Sequence, residues 1–429
     1  MLVSLINWIS VIYCMFFAFS SVKKILNNKY SILHIAVVFF FVMQVIPIVF
    51  EAFFGIDESM SIYKNMYIAM LDKSTSFAYC FFVMFTISCL YCLGNSLLKK
   101  QKHKFSIIDT ITSIKINSII SFVVFIGMFV PPILAVAFSP DWTIYTDFSY
   151  FYTNDYYKNS DIYLYHTSVV TVANCLAFGF TIVQYLCRDI SKKHINFDVF
   201  FAIVLFTWID GKRTLLTFSL IGILAIDVLK RRYRNRAGKL LGKALVFSII
   251  IIGYFIFYSQ ITGKGIDLAF GVKYELYYSR LSSVKTAIYD LLNGSKMLDY
   301  NGQSILYNIL FFVPREFWEN KPVMFCKYFT AYALGHSTSD FVSWNLLVNI
   351  WTEFIANFGF VGNILAIAFC YFVAKITENT NNVLVYLFGT LFILFYFVFG
   401  FEVFALIAYI LWIALLCVSK FKVKIVLRK

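Results

Sequence analysis

The chain has 429 residues, of which 60% are hydrophobic and only 14% are charged, and its mean hydropathy is +0.76. Soluble domains carry roughly 25% charged residues, and one water-soluble core of this size would not hide 50 Phe and 29 Tyr. The formal net charge of +14 therefore indicates basic residues that flank membrane spans rather than a nucleic-acid-binding protein, and we expect an all-α, polytopic integral membrane protein.

Apolar runs long enough to cross a bilayer recur along the whole chain. A membrane-spanning helix needs about 20 mostly apolar residues, with a lower limit near 17. We therefore predict eleven transmembrane helices, at residues 2–22, 31–54, 74–98, 116–138, 161–186, 197–210, 213–229, 244–261, 355–374, 383–400 and 402–419. The runs at 197–210 and 213–229 are short and only Gly211-Lys212 separates them, so a hairpin that stops short of the full bilayer is the alternative there.

The positions of the basic residues predict the orientation of these spans. With the N-terminus outside, about two thirds of the basic residues fall on the cytoplasmic side, as the positive-inside rule requires. The densest cluster is Lys-Arg-Arg-Tyr-Arg-Asn-Arg at residues 230–236. We therefore expect one transmembrane domain over residues 1–429, with the N-terminus outside, the C-terminus inside and one long outer loop at residues 262–354.

The long outer loop has the sequence pattern of a structured segment. Apolar residues recur at helical spacing from Tyr274 to Leu292, and Asn293-Gly294 ends the run, so we expect an amphipathic helix on the membrane surface. The apolar stretches 303–313 and 323–334 are too short to span and are predicted to be interfacial or re-entrant. A partly apolar outer loop indicates a site for a substrate that is half lipid and half polar.

Within this loop, Pro314 and Pro322 bracket a turn that carries Arg315, Trp318 and Lys321. Arg offers a planar fork to phosphate oxygens and Lys a compact positive charge, while the flat face of Trp suits stacking on a sugar. The alternative interpretation is an interfacial anchor, because Trp and basic residues are common at the bilayer surface.

A second candidate site is the tip of the short hairpin, Asp210-Gly211-Lys212-Arg213. Gly permits a tight reversal, and cations close to hydrocarbon on the outer side often mark function, so we predict that Lys212 and Arg213 bind an anion. The alternative is a pair of basic side chains that reach out of the bilayer from a helix end. Arg280 is either a third cation of this kind or part of a solvated helix face.

Glu353 and Asn357 stand four residues apart, on one helical face, where the ninth predicted span begins. We predict that Glu353 orients an Arg or accepts a proton, with a structural hydrogen bond to the outer loop as the alternative. Gly359 and Gly362 would allow close packing of the helix start.

A general base that works near neutral pH is most simply a histidine. His336 is the only histidine in the outer loop, and its alternative role is that of an ordinary solvated residue. Glu319 and Asp340 are competing bases. The nine cysteines suggest no disulfide framework, and no metal-ligand cluster is evident, so we expect neither a metal nor another cofactor.

Taken in order, these features resemble the bacterial oligosaccharide repeat-unit polymerases of the Wzy type, which make O-antigen and capsule-like polysaccharides. The resemblance covers about residues 200–375. It rests on the Gly-Lys-Arg hairpin tip, the basic inner loop, Gly302-Gln303-Ser304, Pro314-Arg315-x-x-Trp318-x-x-Lys321-Pro322 and Glu353…Asn357-Phe358-Gly359-x-x-Gly362. Relatives often show Ser-Arg-Gly at the hairpin tip, so either Lys212 or Arg213 is the equivalent cation.

The resemblance implies a GT-C-like glycosyltransferase of the bacterial plasma membrane, with its active site on the extracytoplasmic face. Donor and acceptor would be oligosaccharides on undecaprenyl diphosphate, and a chain-length regulator protein would be a further partner. The implied diphosphate-binding residues are Lys212, Arg213, Arg280, Arg315 and Lys321. The implied catalytic residues are His336, Glu319 and Arg315, with Trp318, Glu353 and Asn357 orienting the sugars. The rival interpretations are a lipid-linked oligosaccharide flippase and an O-antigen ligase.

Overall fold

The computed structural model describes residues 2–27, 29–100, 118–146, 161–187, 197–211, 213–229, 237–261, 279–294, 296–311, 313–336, 341–342, 345–380, 382–399, 409–410 and 412–417. Every regular element in these ranges is a helix, as the composition predicts. The α-helices are α1 (Leu2–Leu26), α2 (Ile32–Phe40), α3 (Ile46–Phe54), α4 (Lys64–Leu71), α5 (Lys73–Lys100), α6 (Ser118–Ala137), α7 (Asp161–Tyr165), α8 (Thr171–Cys187), α9 (Phe197–Asp210), α10 (Arg213–Leu229), α11 (Ala237–Ile261), α12 (Ser279–Asn293), α13 (Gln303–Ile309), α14 (Phe325–Leu334), α15 (Ile350–Glu378) and α16 (Val383–Phe399).

Several helices are long and apolar enough to cross a membrane, as their sequence predicts. Five meet both criteria over the described residues: Val3–Leu26, Ile32–Phe54, Lys73–Lys99, Ser168–Leu186 and Ile350–Glu378. Three shorter apolar helices are Ser121–Ala137, Leu215–Val228 and Leu384–Phe397. Most of the last predicted run, 402–419, lies outside the described residues. The number of eleven spans and the orientation therefore stay predictions.

The chain divides into two compact units, one of residues 1–102 and 269–417 and the other of residues 103–268 and 418–429. In the first unit, α5 packs against α1 and α2, while α12 packs against α4, α5 and α15. In the second unit, α8 packs against α6, α9 and α10. Large apolar side chains such as Phe16, Phe19 and Phe81 remain exposed on α1 and α5, and exposed apolar surfaces of this kind mark contact with a membrane or another protein.

Two of the long helices of the first unit are interrupted. Residues Phe41–Val45 form a π-helical turn between α2 and α3, and such turns are frequent at functional sites. In α15, Gly359 has non-helical angles (φ 62°, ψ −147°), which divide the helix into two halves. A Cβ on Gly362 would lie 1.9 Å from the Phe354 carbonyl oxygen. Of the two glycines that the sequence indicates for close packing, Gly359 therefore forms the break, and Gly362 makes the close contact across it.

The helix predicted between Tyr274 and Leu292 is present as α12 and ends before Gly294, which has a positive φ of 65°. The structure differs from the expectation of a surface helix with a solvated polar side. Every residue from Ser279 to Ile288 is buried, because both faces of the helix pack within the first unit. Residues 262–278 lie outside the described residues.

Candidate functional site

The candidate site lies in the first unit and is built around α12. Two cations on this helix, Arg280 and Lys285, are 9% and 2% exposed. Two hydroxyls of the helix bond to its own backbone: Ser283 Oγ donates to the Arg280 carbonyl (2.9 Å) and Thr286 Oγ1 to the Ser282 carbonyl (2.7 Å). Charged side chains are rarely buried without a partner, so the surroundings of α12 decide what these cations do.

Lys285 forms an ion pair with a distant residue. Its Nζ lies 2.8 Å and 3.0 Å from the two carboxylate oxygens of Glu51 on α3. The same Nζ donates to Ser76 Oγ at 3.3 Å and lies 5.8 Å from the ring centroid of Tyr79. The sequence pattern indicates no role for Lys285. The signal that could have found it is Glu51, since an acid within an apolar run implies a buried cationic partner.

The opposite side of α12 is bonded to the start of α15. Thr352 Oγ1 donates to Ser283 Oγ at 3.2 Å, and Asn349 Nδ2 approaches the same oxygen at 3.4 Å. Asn349 also caps α15, because its Oδ1 accepts from the Thr352 backbone N–H at 3.0 Å. The first half of α15 is thereby fixed against α12.

Glu353 and Asn357 lie together on the first half of α15, as their spacing predicts, and both are 1% exposed. Glu353 Oε1 accepts from Ser304 Oγ (2.8 Å) and from Asn308 Nδ2 (2.7 Å). Asn357 Nδ2 donates to Ser304 Oγ (2.8 Å) and to the Glu353 carbonyl (2.6 Å). Glu353 therefore forms the structural hydrogen bonds that the alternative prediction describes, to residues within 262–354, and Asn308 is a partner that the sequence pattern does not indicate.

The Gly302-Gln303-Ser304 motif joins three elements of the loop. Gly302 has a positive φ of 85° and precedes α13. The Gln303 side chain donates to Asp299 Oδ2 (2.9 Å) and to Tyr328 Oη on α14 (2.8 Å). With Ser304 bonded to Glu353, this short segment ties α13 to both α14 and α15.

The segment between the two prolines is a series of tight turns, which confirms the prediction of a compact turn. Backbone bonds run from Phe317 N to the Pro314 carbonyl (3.2 Å), from Trp318 N to the Arg315 carbonyl (3.1 Å) and from Lys321 N to the Trp318 carbonyl (3.0 Å).

Lys321 fastens this segment to the chain before it. Its Nζ donates to the carbonyls of Phe311 (2.6 Å) and Val313 (2.7 Å), and it lies 5.4 Å from the ring centroid of Tyr307. Two of the three donors of the ammonium group are therefore occupied by the protein's own backbone. If Lys321 binds diphosphate as predicted, it does so with an ammonium group that already donates to two backbone carbonyls.

Arg315 and Glu319 are exposed, and Trp318 is half-buried. Burial raises the pKa of the Tyr307 phenol, and the positive charge of Arg315 acts in the opposite direction. Burial likewise raises the pKa of Tyr328, again with Arg315 opposing the rise. The positive charge of Arg315 therefore acts on one phenol of α13 and one of α14.

His336 lies just after α14 and is exposed. Its backbone N–H donates to the Ala331 carbonyl (2.9 Å), and Gly335 before it has the positive φ of 80° that ends the helix. The competing base Asp340 lies outside the described residues. The structure therefore places His336 at the surface and Glu353 in the interior.

The hairpin tip belongs to the second unit. Gly211 has a φ of 63°, and its N–H contacts the carbonyls of Thr207 and Trp208 (3.1 and 3.2 Å), which confirms the tight reversal. Asp210 is buried. Lys212 and the side chain of Arg213 lie outside the described residues.

The described part of the first unit thus contains a buried helix with two cations, the buried carboxylate of Glu353, and a turn with the exposed Arg315 and the half-buried Trp318. Over the described residues, no group of three or more His, Cys, Asp or Glu side chains could hold a metal ion. Comparisons with protein-family models, with curated protein sequences and with solved structures find no match to this chain.

Proposed function

We propose that this chain is a membrane glycosyltransferase that joins undecaprenyl-diphosphate-linked oligosaccharide repeat units into a surface polysaccharide at the outer face of the bacterial plasma membrane. One observation carries the proposal: the buried, cation-bearing α12 packs against the half of α15 that holds Glu353 and Asn357. A polar interior of this kind beside apolar helices suits a substrate with a charged head and a lipid tail.

Departure of the lipid carrier develops negative charge on its diphosphate. Cations that are held in place before the reaction lower the barrier to that step, and guanidinium groups match phosphate oxygens with two parallel hydrogen bonds. Arg280 and Arg315 are the proposed cations of the first unit, with Lys321 close to Arg315 in sequence. Lys212 and Arg213 stay proposed diphosphate contacts on the basis of the sequence.

The transfer forms a bond between the acceptor oxygen and the anomeric carbon and breaks the bond from that carbon to the diphosphate oxygen. The acceptor hydroxyl must release its proton to a base, for which His336 and Glu319 are the proposed groups. Both are exposed and so can meet an acceptor that arrives from outside. Glu353 is buried and bonded to α13, which supports an orienting role for it and for Asn357.

The turn around Trp318 has the properties expected at the edge of a substrate-binding site. Phe317 is 83% exposed, and Ile309 is 64% exposed on the neighbouring α13. Apolar and aromatic side chains of this kind favour the bilayer surface, where the lipid carrier of the substrate lies. Trp318 is the proposed stacking surface for a sugar.

The break at Gly359 is the observation that favours the flippase alternative. Transporters often form their substrate sites from discontinuous helices. The ligase alternative uses the same donor with a lipid A–core acceptor, and no feature of the described residues favours it over polymerisation.

Deletion of the gene distinguishes the three functions by the surface glycan that remains. Loss of a polymerase leaves single repeat units, loss of a ligase leaves polymer on its lipid carrier, and loss of a flippase leaves no repeat units on the outer face. Complementation with Arg315→Ala should leave single units, whereas Lys296→Ala, which removes an exposed lysine of the same loop, should restore full chains. Polymer of normal length in the deletion strain would refute the proposal.

A further inference from the structure

The contacts of α12 hold it from two opposite sides. Ser283 faces α15 through Thr352 and Asn349, while Lys285 faces α3 and α5 through Glu51 and Ser76. At 3.6 residues per turn, positions 283 and 285 point about 160° apart around the helix axis. Contacts in both directions fix the rotation of the helix as well as its position.

Arg280 lies on the α15 side of this arrangement. Ser283 is three positions further along the chain, which places the two side chains within about 60° of each other around the axis. Lys285 is about 140° away from Arg280, so the two cations of α12 do not share a face. Lys285 and Glu51 hold the side of the helix that faces α3 and α5, which we call its back. Arg280 lies on the side that faces α15, which we call its front.

Attaching α12 through a buried ion pair costs free energy, because both charges lose their contact with water. Lys285 is 2% exposed and Glu51 is 11% exposed, and apolar side chains of similar volume often stabilise a buried site as well as a buried ion pair does. A charge pair differs from an apolar contact in that it has one favourable partner and one favourable geometry, as buried polar pairs that set register do. The pair therefore suits a helix whose exact rotation matters.

We propose that Lys285 and Glu51 are positioning residues that set the rotation of α12 and thereby direct Arg280 towards the first half of α15. The role of Arg280 as a diphosphate contact rests on the proposed function, whereas the attachment of α12 by the ion pair does not. The pair acts through Arg280 and does not touch the substrate.

The first test measures glycan extension by the purified full chain in proteoliposomes that contain undecaprenyl-diphosphate-linked repeat units. Lys285→Met and Glu51→Gln should lower kcat at least tenfold with little change in KM, and the exchanged pair Glu51→Lys/Lys285→Glu should recover at least a third of the wild-type kcat. The matched control is Asp227→Asn, which breaks the Asp227–Lys243 ion pair of the second unit and should keep wild-type kcat. Wild-type kcat in Lys285→Met, or no recovery in the exchanged pair, would overturn the proposal.

The second test needs no activity. In Arg280→Cys, the rate at which a water-soluble maleimide labels residue 280, measured by peptide mass spectrometry, reports how the front of α12 is held. Adding Lys285→Met should raise that rate at least fivefold, while adding Asp227→Asn should leave it unchanged. If wild-type protein extends no glycan, the proposed function fails, and the labelling rates alone decide on the attachment. Equal rates with and without Lys285→Met would overturn it.

Discussion

Replacement of Glu353 tests the bonds that join α13 to α15. Glu353→Ala removes the acceptor of two hydrogen bonds, from Ser304 and Asn308, and leaves the Ser304 hydroxyl buried. Hydrogen bonds to a charged group contribute about 1.5–3 kcal/mol each, so the alanine variant should lose about 3–6 kcal/mol of unfolding free energy. Glu353→Gln keeps an acceptor oxygen in the same place, and the two bonds then become neutral ones of about 0.5–1.5 kcal/mol, which limits the loss to about 2–3 kcal/mol.

The measurement is the free energy of unfolding of the purified protein in mixed micelles. It is compared between the wild-type protein, the two Glu353 variants and Ser304→Ala. In a double-mutant cycle, Glu353→Ala and Ser304→Ala should be coupled by about 0.5–3 kcal/mol, as residues in one hydrogen-bond network are. Glycan extension by Glu353→Gln is the second measurement. If Glu353 only orients a sugar, the glutamine variant should retain more activity than it would if Glu353 had to accept a proton. Equal losses of stability in the alanine and glutamine variants would refute the reasoning, since the acceptor oxygen that glutamine retains would then contribute nothing.

Three further predictions follow from other parts of the structure. Gly362→Ala should abolish accumulation of folded protein, because its Cβ would lie 1.9 Å from the Phe354 carbonyl oxygen. The control Gly253→Ala should express normally, because a Cβ there has nothing within 4 Å. Equal yields of the two variants on a membrane-fraction immunoblot would contradict the packing argument. Lys321→Met should speed proteolytic cleavage within residues 313–322 several-fold, because it frees two carbonyls that now accept from Nζ, and Arg315→Ala should cleave at the wild-type rate while losing polymer. Glycan extension should survive exhaustive chelation in full, and recovery that depends on added Mg²⁺ or Mn²⁺ would rule out a metal-free reaction.

The sequence predicts those features that depend on local periodicity. The length of the apolar runs locates α1, α5 and α15 because a bilayer sets a minimum helix length. Helical spacing followed by Asn293-Gly294 locates α12 and its end, since glycine accepts the positive φ required there. The separation of four residues places Glu353 and Asn357 on one face, and this holds in the structure.

The features that the sequence does not reveal depend on contacts between distant residues. Glu51 and Lys285 are 234 positions apart, and no periodicity within either helix indicates that they meet. The amphipathic pattern of α12 identifies an apolar face, but polar side chains that are buried against Thr352 and Asn349 on one side, and against Glu51 on the other, have the same pattern as polar side chains in water. For that reason helical spacing predicts the helix correctly and its surroundings incorrectly.

Two lysines within residues 262–354 have partners in the fold that their sequence positions do not indicate. Lys285 donates to Glu51 and Ser76, and Lys321 donates to two backbone carbonyls, so the compact ammonium groups hold the fold together. Arg315 is exposed on a turn that Lys321 closes, and Arg280 is carried by a helix that Lys285 attaches. Each arginine therefore depends on a lysine for its position, and a guanidinium needs fixed geometry to form two parallel bonds with a phosphate. Substitution of Lys285 should accordingly weaken the action of Arg280 without removing a group that is proposed to contact the diphosphate. Substitution of Lys321 should weaken the action of Arg315 and also removes a proposed diphosphate contact.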